Sequence, residues 1–236
     1  MKITIGITDC GEKHPIYEKW ILSQNANIQI IKLGYKQNNL SEIAHCDGVL
    51  FTGGEDVHPK FYNKPENLPL CNPDFMDEQR DEFEWKVCEY VFENKIPTLG
   101  ICRGLQFINA YLGGTLIGDI ERIGKNNHSK YYEGKDRYHQ IDVRPSSAFA
   151  KTVGVTVGQI NSAHHQSVDI PAETLVINAF SEDGVVEGLE WKVPNEHSLT
   201  LVQWHPERIE DVQNPFNNKI RKVFIEAVEK KAAIEQ

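Results

Sequence analysis

Short apolar runs recur through the first hundred residues, and polar stretches with helical spacing separate them. Lys2–Thr8, Ile28–Leu33, Gly48–Thr52 and Ile96–Ile101 read as strands. The second is β-branched and nearly continuous, the pattern of a strand covered on both faces. Pro15–Ser23 reads as a helix. So does Asp74–Glu93, where Phe75, Phe83, Val87, Cys88, Val91 and Phe92 recur near helical spacing. Strands alternating with helices predict a parallel sheet with helices on both faces. Sites in such sheets lie at the carboxyl ends of the strands. Gly53-Gly54 and Cys102 both fall at such ends, so their loops can converge.

The second half is richer in strand patterns: Tyr138–Arg144, Val153–Ile160, Thr174–Phe180, Val185–Trp191 and Leu199–Trp204. Ser181-Glu182-Asp183-Gly184 marks a turn between two of them. Gly124–Gly134 is polar and reads as a loop, and Asn217–Ile234 as a charged, amphipathic closing helix. No repeat, low-complexity run or linker divides the chain, which predicts a single domain over residues 1–236.

Composition narrows the classes. The 236 residues carry a net charge of −9 without a basic stripe, which argues against a nucleic-acid partner. No apolar run reaches the roughly 18–20 residues that span a bilayer. The N-terminus reads as a strand rather than a signal peptide. Five scattered cysteines without a CxxC pair suit a reduced cytoplasm better than a disulfide framework.

The sharpest chemical feature is Gly100-Ile101-Cys102-Arg103-Gly104, entered by an apolar run and left by a helix-like one. This is the strand, tight turn and helix of a nucleophile elbow. The small flanking residues let the backbone turn, and the helix N-terminus favours thiolate. Gln203-Trp204-His205-Pro206-Glu207 supplies a distant imidazole with a carboxylate two residues on. Cys10, Cys46, Cys71 and Cys88 lack such a setting and read as structural. Gly53-Gly54 reads equally well as a plain strand-to-loop turn. Asp77, Arg80, Asp81 and Glu84 share a helix face, either solvated or part of a polar network at the site. His164-His165 is not read as a metal pair, because adjacent histidines on a strand point to opposite faces.

Six blocks in order carry a resemblance: Thr52-Gly53-Gly54-Glu55-Asp56-Val57-x-Pro59; Asp77-x-x-Arg80-Asp81-x-x-Glu84; Gly100-Ile101-Cys102-Arg103-Gly104-Leu105-Gln106; Asn161-Ser162-Ala163-His164-His165-Gln166; Ser181-x-Asp183-Gly184-x-Val186-Glu187-Gly188; and Gln203-Trp204-His205-Pro206-Glu207. The chain resembles the class I glutamine amidotransferase-like superfamily, and within it the γ-glutamyl-γ-aminobutyrate hydrolase-like cysteine peptidases. The resemblance implies an α/β, flavodoxin-like three-layer fold with a central, mostly parallel sheet and a smaller strand-rich addition. It implies a triad of Cys102, His205 and Glu207, and an oxyanion hole from the backbone N–H of Arg103 and of a glycine in the Gly53-Gly54 loop, Gly54 in preference to Gly53. It also suggests that the Ser162–Gln166 loop lines the substrate pocket, with Ser162 and His165 as contacts. Gln106, one turn into the helix, is a further candidate contact for a glutamyl group.

The expected activity is hydrolysis of γ-glutamyl amides through a cysteine thioester, with no cofactor or metal, on a small-molecule γ-glutamyl substrate in the cytoplasm. A homodimer is compatible with this reading but rests on no particular residue. Two alternatives stay open: a glutaminase subunit that delivers ammonia to a separate synthetase, and a non-catalytic relative that senses oxidants or a metabolite. The leaving amine is not legible.

Overall fold

The chain's apolar runs assemble into one nine-stranded sheet, described here from a computed structural model that covers residues 2–72 and 76–234. In chain order the elements are β1 (Thr4–Thr8), α1 (His14–Leu22), β2 (Gln29–Leu33), β3 (Gly48–Phe51), α2 (Glu78–Glu93), β4 (Thr98–Ile101) and α3 (Arg103–Tyr111). There follow β5 (Leu116–Ile117), β6 (Arg137–Val143), α4 (Ala148–Val153), β7 (Val157–Ser162) and β8 (Ser167–Val168). The last elements are β9 (Leu175–Ser181), β10 (Val186–Trp191), β11 (Leu199–Val202) and α5 (Pro215–Ile234). The large sheet runs β2-β1-β3-β4-β11-β10-β9-β6-β7, and β5 and β8 form a separate small pair.

The first five strands of that order are mutually parallel. From β11 onward every pairing is antiparallel. The strand-rich second half therefore extends the same sheet. Helices cover both faces, which is why β3 and β4 are largely apolar and are buried along their whole length. One core packs α1, α4 and α5 against the sheet through Trp20, Phe149, Trp204, Phe216 and Phe224. The other packs α2 and α3 through Phe83, Val87, Leu105 and Phe107. Among the described residues no helix is long and apolar enough to cross a membrane.

Two expectations need correction. The strand pattern at Val153–Ile160 splits, because Val153 closes α4. Ser147 caps that helix by accepting from the Ala150 N–H, and Gly154 ends it at φ 78°, a conformation glycine adopts without a Cβ penalty. Similarly, α2 starts at Glu78, where Asp77 accepts from the Arg80 N–H; the expected start at Asp74 and Phe75 lies outside the described residues.

Candidate active site

The carboxyl ends of β3, β4 and β11 meet at Cys102. This residue joins β4 to α3 with φ 53° and ψ −107°, a left-handed conformation costly for a residue with a Cβ. Its backbone is held at both sides of the bend: the Cys102 N–H donates to Val202 O at 2.8 Å, and Cys102 O accepts the Gln106 N–H at 3.2 Å. Gln203 Nε2 donates to the sulfur at 3.5 Å, and the Arg103 N–H faces it.

His205 stands three residues past the end of β11. Its Nδ1 lies 2.8 Å from Glu207 Oε1, so the carboxylate fixes Nδ1 as the protonated nitrogen and leaves Nε2 free to act as a base. Asn161 holds the His205 main chain by both polar groups: its Oδ1 accepts the N–H at 3.0 Å and its Nδ2 donates to the C=O at 2.9 Å. A Cβ placed on Gly53 would stand 2.8 Å from His205 Cε1 and 3.6 Å from Cys102 Cβ. The imidazole and the cysteine thus flank the same glycine. Cys102, His205, Glu207, Gly53 and Gly54 line one cavity of about 320 Å³.

Electrostatics set the resting state. Burial pushes the Cys102 thiol up to about 12, and the Arg208 charge and the Arg103 N–H offset only part of this. Burial likewise pulls His205 below its ordinary value, against the pull of Glu207. Burial therefore works against the thiolate that the helix N-terminus favours, and biases the pair toward a neutral thiol beside a neutral imidazole. Glu207, though buried, stays ionised, held below the usual carboxylate range by His205.

The glycine loop is built on ion pairs. The Gly53 N–H donates to Tyr17 Oη at 3.0 Å and is thereby occupied. Among the described residues no protein group accepts from the Gly54 N–H. Beneath the loop, Arg80 Nη2 donates to Thr52 Oγ1 at 3.0 Å and to Gly53 O at 3.1 Å, while its Nε reaches Glu84 Oε1 at 2.8 Å. Arg103 completes the network by donating to Asp81 and to Glu84. Asp81, Arg80, Arg103 and Glu84 are all buried, so the helix face left open by the sequence is a network under the site, capped by Asp77.

Ala163 brings the Ser162–Gln166 loop to the cavity wall, but the three expected substrate contacts do not line the cavity. Gln106 is buried behind the sulfur, its Nε2 donating to Gln166 O at 3.0 Å and to Gln203 Oε1 at 3.1 Å. It acts on Cys102 through Gln203 and does not face the cavity. Ser162 is fully buried, and its hydroxyl donates to His128 O at 2.8 Å. His165 lies in the loop after β7 and pairs with Asp56 Oδ1 at 2.8 Å; it does not line the cavity either. His164 and His165 do point apart, but from a loop rather than a strand. What the cavity does present is Lys13, Lys130 and Arg208 beside Glu12 and Glu55, together with Cys10. The sequence offered one weak signal for Cys10, its place just past the end of β1.

Comparison with known proteins places the chain among relatives. Over 226 residues the chain is 33% identical to a Schizosaccharomyces pombe protein named "Putative glutamine amidotransferase", covering 94% of this chain and 85% of that one. It is 26% identical over 169 residues to the γ-glutamyl-γ-aminobutyrate hydrolase of Escherichia coli O157:H7, covering 68% of this chain and 64% of the relative. A glutamine amidotransferase structure from Thermotoga maritima superposes with a TM-score of 0.62 at 16% identity, over 98% of this chain and 92% of that one, a likeness of fold. The Peptidase C26 profile matches residues 17–207, and with it the chain belongs to the Peptidase C26 family.

Proposed function

We propose that this chain hydrolyses γ-glutamyl amides, with Cys102 as nucleophile, His205 as base and acid, and Glu207 as the group that orients the imidazole. The observation that carries the reading is the strained turn at Cys102 opening into the same cavity as a Glu207-tethered His205. The likeness to a γ-glutamyl-γ-aminobutyrate hydrolase supports the substrate class.

The chemistry begins from the neutral pair. As Sγ attacks the side-chain carbonyl carbon, the thiol proton passes to His205 Nε2 and the S–C bond forms. The Gly54 and Arg103 N–H groups receive the oxyanion, each such donor typically lowering the barrier by about 3 kcal/mol. The tetrahedral intermediate collapses, the C–N bond breaks, and His205 returns its proton to the departing amine. Water then attacks the glutamyl thioester while His205 accepts its proton. Collapse of this second intermediate releases glutamate and regenerates the thiol. Lys13, Lys130 and Arg208 supply positive charge suited to the substrate α-carboxylate, and Glu55 negative charge suited to its α-ammonium.

The test is glutamate release from a panel of γ-glutamyl amides, with glutamine included, beside the Cys102→Ala protein. Turnover of non-glutamine amides that vanishes in the variant supports the proposal, together with a mass-detected glutamyl adduct on Cys102. Hydrolysis of glutamine alone, and only after a second protein is added, would replace it with the glutaminase-subunit reading.

A further inference from the structure

Behind the active site, on the β10 side, three imidazoles surround one buried carboxylate. Glu187 is fully buried. Its Oε1 lies 3.4 Å from His128 Nδ1, 3.4 Å from His139 Nε2 and 3.7 Å from His164 Nε2. None of these contacts is aligned as a hydrogen bond: the three ring nitrogens and both Glu187 oxygens are buried polar atoms without a partner. Such a concentration of unsatisfied groups is costly unless something joins them.

The outer nitrogen of each ring explains what is missing. His164 Nδ1 lies 2.9 Å from Gln166 O, and His139 Nδ1 lies 2.9 Å from Gln140 O. A carbonyl only accepts, so each Nδ1 carries the proton. His128 Nε2 lies 3.2 Å from the Asp183 carboxylate and is protonated for the same reason. Against burial, Glu187 and Asp183 hold the His128 ring above its ordinary value, so an ion would displace the proton from its Nδ1; with the rings neutral, all three inward nitrogens present lone pairs to an anionic oxygen. Outer acceptors that fix the tautomer of an inward-facing imidazole are the usual second layer of a metal site. The distances from Glu187 Oε1 to the three nitrogens come near the roughly 3.3–3.4 Å between two ligands that stand about 2.0–2.1 Å from a tetrahedral ion, and the rings would close in by up to about 1.4 Å to complete the set. The ligand atoms of His128, His164 and Glu187 all lie within 4.8 Å of one another.

We propose that His128, His164 and Glu187 bind a divalent transition metal of the zinc type, with His139 within reach of the remaining position. The site is structural. It joins the 124–134 segment, through His128, to β10 and to the loop after β7. Lys130, two residues past His128, lines the catalytic cavity, so the ion would hold one of that cavity's cations in place. The three ligands come from three separate segments, so no sequence spacing announces them. The expectation of a metal-free protein set His164 aside only as a partner of His165, and the fold pairs it with His128 instead.

The test uses the full chain carrying Cys102→Ala, which removes the catalytic thiol as a competing ligand. After incubation with Zn(II) and desalting, about one equivalent per chain is expected to remain by elemental analysis. Co(II) in its place should give the intense visible bands of a low-coordinate site. Zn(II) should raise the melting temperature relative to chelator. His128→Ala and His164→Ala, checked for folding by circular dichroism, should retain under about a tenth of an equivalent, and Asp183→Asn should bind about 10- to 100-fold more weakly. His165→Ala should retain the full equivalent. The proposal fails if the parent chain retains under about a tenth of an equivalent and shows no melting shift, which would leave the rings as imidazolium partners of Glu187. It fails equally if the His128 and His164 variants bind like the parent.

Discussion

Replacing Asn161 with alanine should disable the proposed base without touching it. Asn161 is fully buried and accepts from the His205 N–H while donating to the His205 C=O. Alanine leaves both main-chain groups buried without partners. At about 1–3 kcal/mol for each orphaned group, the loss of stability is about 2–6 kcal/mol, or a melting temperature lower by about 4–24 °C. The freed main chain lets the imidazole shift against Cys102, and a misplacement of about 1 Å costs on the order of a hundredfold in kcat. KM should change little, because Asn161 does not line the cavity. Asn161→Asp separates the two roles: it keeps the acceptor for the N–H but places a carboxylate oxygen against the His205 C=O and near Asp136, now 3.0 Å from Nδ2. That variant should be less stable at neutral pH and recover as acid protonates the pair. Steady-state kinetics on a γ-glutamyl amide with calorimetry on the same samples decides the matter. A kcat within about threefold of the parent in folded Asn161→Ala would show that His205 is held by something else.

Other outcomes follow from the same geometry. With the thiol near 12 and His205 lowered, iodoacetamide should label Cys102 slowly at neutral pH and faster as pH rises. A labelling rate already flat from pH 5 upward would mean a preformed thiolate–imidazolium pair. Glu84→Gln leaves Arg80 and Arg103 short of a buried counter-charge and should cost about 3–5 kcal/mol by chemical denaturation; a loss under about 1 kcal/mol would mean the network is dispensable. His197 is buried and lowered to about 4 by loss of solvation. The unfolded chain takes up that proton first, near 6.5, so acid favours unfolding. The folded protein should lose about 3 kcal/mol through this one residue between pH 6.5 and 4, a slope absent from His197→Gln. Equal slopes in the two proteins would refute the assignment. Gly53→Ala would force a methyl to 2.8 Å from His205 Cε1 and 2.9 Å from Tyr17 Oη; activity should fall sharply, and an unimpaired enzyme would contradict the close approach.

What the sequence discloses is what local chemistry encodes. The turn at Cys102 is legible because small residues must flank it and a helix must follow. The strands before it are legible because burial on both faces makes them continuous apolar runs. The partnership of Cys102 with His205 is different in kind. It depends on β11 inserting beside β4, and no periodicity reports which strands become neighbours; only resemblance suggested it. Helix periodicity placed Asp77, Arg80, Asp81 and Glu84 on one face but could not say whether water or the Gly53 loop covers that face. Gln106 and Ser162 turn away from the cavity for a related reason. Polar side chains near strand ends have loop carbonyls to satisfy, and both are spent there.

The sheet's change of direction at β11 explains why the two chemical centres are neighbours. Strands β4 and β11 are parallel, with Ile101 opposite Val202, so both end on one edge about 4.8 Å apart. Cys102 and His205 leave that edge together. Strand β10 is antiparallel to β11, so it begins on the edge where β11 ends, and Glu187 stands near its start. The Gln203 N–H donates to Glu187 O at 2.8 Å while the Gln203 side chain reaches the Cys102 sulfur. One residue thus touches the proposed nucleophile by its amide and the histidine cluster by its main chain. A shift of β10 against β11 would therefore move both, which gives the cluster a physical reason to be tied down. A ligand bridging Glu187 to His128 and His164 would fix the register of β10 from the side opposite Cys102. Loss of His128 or His164 should then loosen the Gln203 contact and lower kcat, even though neither ring lines the cavity.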